Sequence, residues 1–162
     1  MKELSVRPAD KDLENLVLVY SNMLFKLCFT LLRNNVDAED AVSETIVKYI
    51  TRAPVFNSDE HKKAWLLRTA ANICKDMLRQ RKRRSYINLD DVQEYCKTEE
   101  SADILSEVLR LPVKYREVIY LYYIEGYKTK EIADILSITP QAVRKRLQYG
   151  RDMLKIEYER TD

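Results

Sequence analysis

Apolar residues with the 3.6-residue period of an α-helix run through most of this sequence. The first such stripe consists of Leu13, Leu16, Val17, Tyr20, Leu24, Leu27 and Leu31. Turn-forming residues are scarce, because the 162 residues include only two Gly and four Pro. The tight turns of β-sandwiches and the glycine loops of nucleotide-binding folds therefore have little to form from. We predict an all-α fold.

Three helices are predicted in the first half of the chain. Their candidate N-cap residues are Asp10, Asp37 and Ser58. The residues expected to be buried in the second and third helices are Ala38, Ala41, Val42, Thr45 and Tyr49, and then Ala64, Leu67, Ala71, Cys74 and Leu78. Together the three helices would form a first domain over residues 1–84.

The second half divides into a linker and a second helical domain. Residues 85–100 have weak periodicity and few large aliphatic side chains, which favours an acidic linker. A second domain is predicted over residues 101–162. Its expected features are a helix that ends at Pro112, a next helix with Val118, Ile119 and Tyr122 on its core face, a C-terminal cap at Gly126, and helices over 129–136 and 140–158.

The formal net charge of +2 combines two blocks of opposite sign. Between His61 and Arg84 there are nine Lys or Arg residues and one acidic residue, Asp76. Between Ser85 and Glu107 there are seven acidic residues and one lysine. This asymmetry predicts separate surfaces for separate partners.

The sequence disfavours metal, secreted and membrane-inserted classes. One histidine and three separated cysteines, Cys28, Cys74 and Cys96, do not have the spacing of metal ligands. An odd number of cysteines suits a reducing compartment, and charge near the N-terminus argues against a signal peptide. The uncharged stretch from Asn15 to Phe25 is shorter than a bilayer span. We therefore expect a soluble cytoplasmic protein with no cofactor, no metal and no direct membrane insertion.

The segment from Ser137 to Pro140 predicts a helix-turn-helix. It combines a turn residue, an apolar plug, a capping threonine and a proline at the first helical position. The second helix then exposes a row that Arg151 would extend: Gln141, Arg144, Lys145 and Gln148. Such side chains suit base edges and phosphates in a major groove, and the alternative is a solvated cationic face.

The third predicted helix carries a basic face around the only tryptophan. The residues on this face are His61, Trp65, Arg68, Asn72, Lys75 and Arg79. An aromatic ring among cations suits single-stranded nucleic acid, because bases stack on the ring while cations follow the phosphates. The alternative is that Trp65 packs at the edge of the helix bundle.

The second predicted helix carries an acidic row of Asp37, Asp40 and Glu44, with Glu39 beside it. This row could dock a protein partner, or it could be a solvated helix start stabilised by the helix dipole. A catalytic role for these carboxylates is disfavoured, because no second polar group or metal accompanies them.

Taken in order, these motifs resemble bacterial sigma factors of the extracytoplasmic-function subgroup. The first half resembles the promoter-melting domain in Asp37-Ala-Glu-Asp-Ala-Val-Ser-Glu-Thr45, in Lys63-Ala-Trp-Leu-Leu-Arg-Thr-Ala-Ala-Asn72 and in the basic run that follows. The second half resembles the domain that binds the upstream promoter element, in Leu111-Pro-Val-Lys-Tyr-Arg-Glu-Val-Ile119, Glu131-Ile-Ala133 and Val143-Arg-Lys-Arg-Leu147. Family members often have Gly where this chain has Ser137.

The resemblance implies roles for particular residues. Docking to the clamp helices of core RNA polymerase is implied for Asp37, Glu39, Asp40, Glu44 and Thr45. Contact with the minus-ten element is implied for Lys62, Trp65, Arg68, Thr69, Asn72, Asp76 and Arg79. Contact with the minus-thirty-five element as duplex DNA is implied for Thr139, Gln141, Arg144, Lys145 and Gln148. Either flap contact or core packing would account for Leu109, Leu111, Tyr115, Val118 and Tyr122.

The expected function is that of a sigma factor that binds core RNA polymerase, directs it to promoters and helps to melt the minus-ten element. Such a protein is a specificity subunit without catalytic activity of its own, and the resemblance implies an anti-sigma factor as a further partner. The alternative is a helix-turn-helix regulator whose N-terminal bundle senses a ligand or dimerises. The basic third helix disfavours that alternative, and the lack of a catalytic constellation disfavours a helical enzyme.

Overall fold

The computed structural model describes residues 10–81 and 99–158, and within these ranges the chain is helical without strands. The all-α prediction is confirmed. The helices are α1 (Asp10–Leu32), α2 (Asn35–Arg52), α3 (Asp59–Arg81), α4 (Glu99–Arg110), α5 (Val113–Ile119), a π-helical turn (Tyr120–Ile124), α6 (Thr129–Leu136) and α7 (Pro140–Tyr158). The chain divides into two compact units, Met1–Arg83 and Arg84–Asp162. Most of the predicted linker, the basic run after Arg81 and Cys96 lie outside the described residues.

In the N-terminal unit, α1, α2 and α3 pack against one another in pairs. Leucines on α1, such as Leu24 and Leu27, fill the centre of this core, and Ala41 and Ala71 are also buried there. Their small side chains let helices approach closely. Of the predicted buried stripe on α3, Ala64 and Leu78 are only half-buried.

The caps of α2 and α3 follow from short polar side chains. The Ser58 hydroxyl accepts a hydrogen bond from the His61 backbone N–H at 3.1 Å, which confirms Ser58 as the cap of α3. The prediction that Asp37 caps α2 is wrong. The helix begins earlier because the Asn34 side chain accepts a hydrogen bond from the Asp37 N–H at 2.9 Å. Asp37 therefore lies in the first turn, where its charge is favourable next to the helix dipole.

Among the described residues, one helical span, Asp12–Leu32 in α1, is long and apolar enough to cross a bilayer by length and composition. The uncharged stretch from Asn15 to Phe25 is shorter than this helical span, so its length alone did not predict the span. The same composition is typical of a core helix, and Leu16, Leu24 and Leu31 of α1 are buried inside the N-terminal unit.

In the C-terminal unit, a π-helical turn changes which residues face the core. The Glu125 N–H donates to the Tyr120 carbonyl at 3.2 Å, five residues back, so the turn contains one residue more than an α-helical turn. Tyr120 and Leu121 are consequently buried, whereas Tyr122 is 36% exposed. The prediction that Tyr122 lies on the core face is wrong for this reason. Gly126 follows with a φ of 75°, a conformation that glycine adopts without strain.

The helix-turn-helix comprises α6 and α7. Ser137 lies in the left-handed region with φ 57°, a conformation that carries a modest strain for a residue with a Cβ atom. The Thr139 hydroxyl accepts a hydrogen bond from the Ala142 N–H at 3.1 Å and caps α7. Buried side chains on both helices hold the pair together: Ile132, Ala133, Ile135, Leu136, Val143 and Leu147.

Candidate nucleic-acid interface

The exposed row on α7 has the arrangement that the sequence predicted. Gln141, Arg144, Lys145 and Gln148 are all exposed, while Val143 and Leu147 bury the opposite side of the helix. Thr139 is exposed at the N-terminus of α7, but its hydroxyl is engaged in the helix cap. The other four side chains carry the donors and acceptors that read base edges and bind phosphates.

A cleft of about 530 Å³ borders this row. Its lining residues are Tyr122, Thr129, Arg144, Leu147, Gln148, Arg151 and Asp152. The Arg151 guanidinium lies over the rings of Tyr122 and Tyr123, at 5.5 and 5.8 Å from their centres. Arg151 thus lines the cleft next to the exposed row of α7. Its guanidinium group is held against the two tyrosine rings by cation–π attraction. Helical periodicity did not predict this contact, because it placed Tyr122 on the core face.

The predicted minus-ten residues occupy one side of α3. Arg68, Asn72, Asp76 and Arg79 are exposed, and Lys62, Trp65 and Thr69 are half-buried. Arg79 forms an exposed ion pair with Asp76 one turn earlier. One of the cationic groups on this face is therefore partly neutralised by its own helix.

Trp65 belongs to an aromatic cluster that joins α2, α3 and the loop between them. Its ring meets Phe56 edge-on at 5.8 Å and Tyr49 at 6.3 Å between ring centres. Phe56 also meets the His61 ring at 5.3 Å, and the Lys62 ammonium lies 5.3 Å from the centre of the Tyr49 ring. The packing alternative for Trp65 is thus realised, yet the side chain keeps part of its surface open to solvent beside the cations of α3. Sequence reasoning missed Phe56, although an aromatic residue just before a capped helix is a visible signal.

The acidic residues of α2 lie at the surface of the N-terminal unit, whereas Thr45, which was grouped with them, does not. Glu39, Asp40 and Glu44 are exposed and Asp37 is half-buried. The placement of Thr45 on this docking surface is wrong, because its side chain is buried and its hydroxyl donates to the Ala41 carbonyl at 2.7 Å. The buried stripe predicted from periodicity is the correct assignment for Thr45.

Two apolar residues that the sequence analysis overlooked, Val36 and Val47, are exposed on α2 together with the acids. An exposed surface that combines carboxylates with valines can contact a partner through both charge and apolar area.

Five residues of the second domain were expected either to contact the polymerase flap or to pack in the core, and the structure supports core packing for three of them. Leu109, Leu111 and Val118 are buried in the C-terminal unit, whereas Tyr115 is half-buried and Tyr122 is exposed. Cys28 and Cys74 are buried in the N-terminal unit, and the burial of Cys74 agrees with its place on the predicted apolar stripe of the third helix. Within residues 10–81 and 99–158, there is no group of His, Cys, Asp or Glu side chains that could hold a metal ion.

Comparison with known proteins gives matches in both units. Residues 16–84 match the model of sigma-70 region 2, and residues 101–154 match that of sigma-70 region 4. The chain is 28% identical to the ECF RNA polymerase sigma factor SigW of Bacillus subtilis, with 93% of this chain and 91% of the relative covered. It is 25% identical to RNA polymerase sigma factor SigV of the same organism, over 85% of this chain and 86% of the relative.

Two solved structures share the fold. One is the sigma factor RpoE in complex with the anti-sigma factor NepR from Bartonella quintana, with a TM-score of 0.73, 21% identity and coverage of 92% of this chain and 98% of that chain. The other is CnrH in complex with the cytosolic domain of CnrY, with a TM-score of 0.71, 23% identity and coverage of 95% and 92%.

Proposed function

The chain belongs to the sigma-70 family, in its extracytoplasmic-function subgroup, and is a promoter-directing subunit of RNA polymerase; from this premise we propose which of its surfaces meet DNA and polymerase. The observation that supports this proposal is the presence of two different exposed faces that carry cations, in two separate units. The α7 row suits duplex DNA, and the face of α3 around Trp65 suits an opened strand.

In this proposal α7 enters the major groove of the minus-thirty-five element. Gln141, Arg144, Lys145 and Gln148 contact bases or phosphates, and Thr139 fixes the start of the helix at the DNA. The N-terminus of a recognition helix commonly provides these contacts in helix-turn-helix proteins.

The face of α3 engages the minus-ten element while it is melted. A base of the non-template strand stacks on the open part of Trp65, whose edge-on contacts with Phe56 and Tyr49 hold the ring in place. The remaining residues assigned to this contact are Lys62, Arg68, Thr69, Asn72, Asp76 and Arg79. Since Arg79 is paired with Asp76, we assign that pair to orientation of the strand more than to net attraction.

The acidic face of α2 docks to the clamp helices of core polymerase. Asp37, Glu39, Asp40 and Glu44 provide the charge, and Val36 and Val47 add apolar contact. Thr45 supports the helix from inside. In the second domain, the open parts of Tyr115 and Tyr122 are the candidates for contact with the flap.

We propose boundaries and partners that fit this role. Residues 1–84 act at the minus-ten element, residues 85–100 link the domains, and residues 101–162 act at the minus-thirty-five element. Because one structural neighbour is a sigma factor in complex with an anti-sigma factor, we infer that an anti-sigma factor binds this chain and holds it inactive. The chain acts in the cytoplasm, where core polymerase is found, and catalyses no reaction of its own.

Run-off transcription from genomic DNA of the source organism tests the proposal. Core RNA polymerase is used with and without the purified chain. New discrete start sites that share two upstream elements are expected. The helix-turn-helix regulator alternative requires tight, specific duplex binding without polymerase, and that binding together with unchanged start sites would refute the sigma assignment.

A further inference from the structure

Arg146 lies between Lys145 and Gln148 in sequence, but it is on the opposite side of α7 from the exposed row. At about 100° per residue, Arg146 is about 150° from the centre of the row formed by Gln141, Arg144, Lys145 and Gln148. Its guanidinium Nη1 is 3.6 Å from the Glu117 carboxylate Oε1, and the two side chains are 29% and 1% exposed. Arg146 therefore faces α5, away from the DNA.

Glu117 lies in α5, and α5 is itself hydrogen-bonded to the end of α4. The neighbouring residue, Arg116, is 1% exposed, and its Nη1 donates hydrogen bonds to the carbonyls of Leu109 at 2.8 Å and Leu111 at 3.2 Å. Those carbonyls lie in the last turn of α4 and directly after it, where backbone carbonyls often accept hydrogen bonds from side chains. Two consecutive buried charges thus connect α5 backward to α4 and forward to α7.

The contact between α5 and α7 also includes close apolar packing. A Cβ added at Gly150 would lie 2.9 Å from Ile119 Cγ1, and the Tyr115 and Tyr149 rings are 5.9 Å apart. Apolar packing has little directional preference, so it sets the distance between helices better than their rotation. The attraction between a carboxylate and a guanidinium falls as the distance between them grows, so the Glu117–Arg146 ion pair favours the rotation of α7 that brings the two groups together.

We propose that Glu117 and Arg146 are positioning residues, which hold α7 at the rotation where its row reads the minus-thirty-five element. This inference rests on the proposed role of α7. A buried ion pair adds little net stability compared with apolar packing, but it can select one arrangement among several. Neither residue contacts DNA in this arrangement; they act through Arg144, Lys145 and Gln148.

The test uses holoenzyme made with the full chain and a promoter library in which the upstream element is randomised. Transcripts from all library members are counted in one reaction, so base preference is obtained as a ratio between promoters. A smaller folded fraction lowers all members alike and leaves these ratios unchanged. The variants are Glu117→Gln, Arg146→Gln, their combination and Arg146→Lys, with exposed Arg110→Gln as the matched control.

We expect each single Gln variant to weaken the preference for the best upstream element about tenfold, with the combined variant no worse than either single one. Arg146→Lys should retain most of the preference and Arg110→Gln all of it. Preserved ratios in both single variants would overturn the inference, as would multiplied effects in the combined variant. If the wild-type chain itself shows no preference at the upstream element, the proposed role of α7 fails instead.

Discussion

Gly150 lies where α7 comes close to α5, so a Gly150→Ala substitution tests how closely the two helices pack. Gly150 is buried within the helix, and a Cβ there would lie 2.9 Å from Cγ1 and 3.1 Å from Cδ1 of Ile119. Ile119 is itself only 3% exposed, and a β-branched side chain has few χ1 rotamers available in a helix, so its Cγ1 has little freedom to move. Either the Ile119 side chain or the axis of α7 must therefore shift in Gly150→Ala.

Two opposing contributions set the expected magnitude. Overpacking a buried site costs about 2 kcal/mol, while replacing Gly by Ala inside a helix gains about 1 kcal/mol. We therefore expect Gly150→Ala to lower the free energy of unfolding by about 1 kcal/mol, or about 5 °C in Tm for a unit of this size. In an Ile119→Ala background the overlap is gone, so the same change should raise the free energy of unfolding by about 1 kcal/mol.

Thermal unfolding of the full chain, followed by two signals, measures this effect. Far-UV circular dichroism reports on both units, whereas the fluorescence of the only tryptophan, Trp65, reports on the N-terminal unit. The fluorescence transition should stay unchanged in Gly150→Ala and serves as an internal control. A stabilised Gly150→Ala protein in the wild-type background would refute the close approach of Ile119 to α7.

Three further substitutions have expected outcomes. Trp65→Ala should weaken promoter opening by about 1–3 kcal/mol with little loss of duplex binding, because a stacked base is lost; permanganate footprinting that shows equal opening would contradict this role. Arg144→Ala should weaken upstream recognition by about 1–3 kcal/mol if Arg144 reads a base, or weaken all sequences alike if it meets phosphate only, as selection from a randomised element would distinguish. Thr139→Ala should lower the free energy of unfolding by about 1 kcal/mol through loss of the α7 cap, measured by denaturant unfolding. Thr51→Ala, at an exposed position in the last turn of α2, is the control.

Local patterns in the sequence were sufficient to predict where most of the helices lie. The bounds of α6 and α7 agree with the predicted ranges 129–136 and 140–158, because helix caps, a helix-start proline and a 3.6-residue period act over a few neighbouring residues. The cap at Ser58 and the exposed row on α7 follow from the same short-range rules. The motifs carried by these helices were also sufficient to identify the family.

Contacts between helices were decided only by the tertiary structure. The π-helical turn shifts the buried face from Tyr122 to Leu121, and the loop before α3 brings Phe56 onto Trp65. Likewise, Glu117 and Arg146 are distant in sequence, and their pairing depends on how α5 crosses α7. Periodicity states which side of a helix is apolar, since backbone geometry sets it locally. Which residue meets that side depends on crossing angles and distances, which arise only when all the helices pack together.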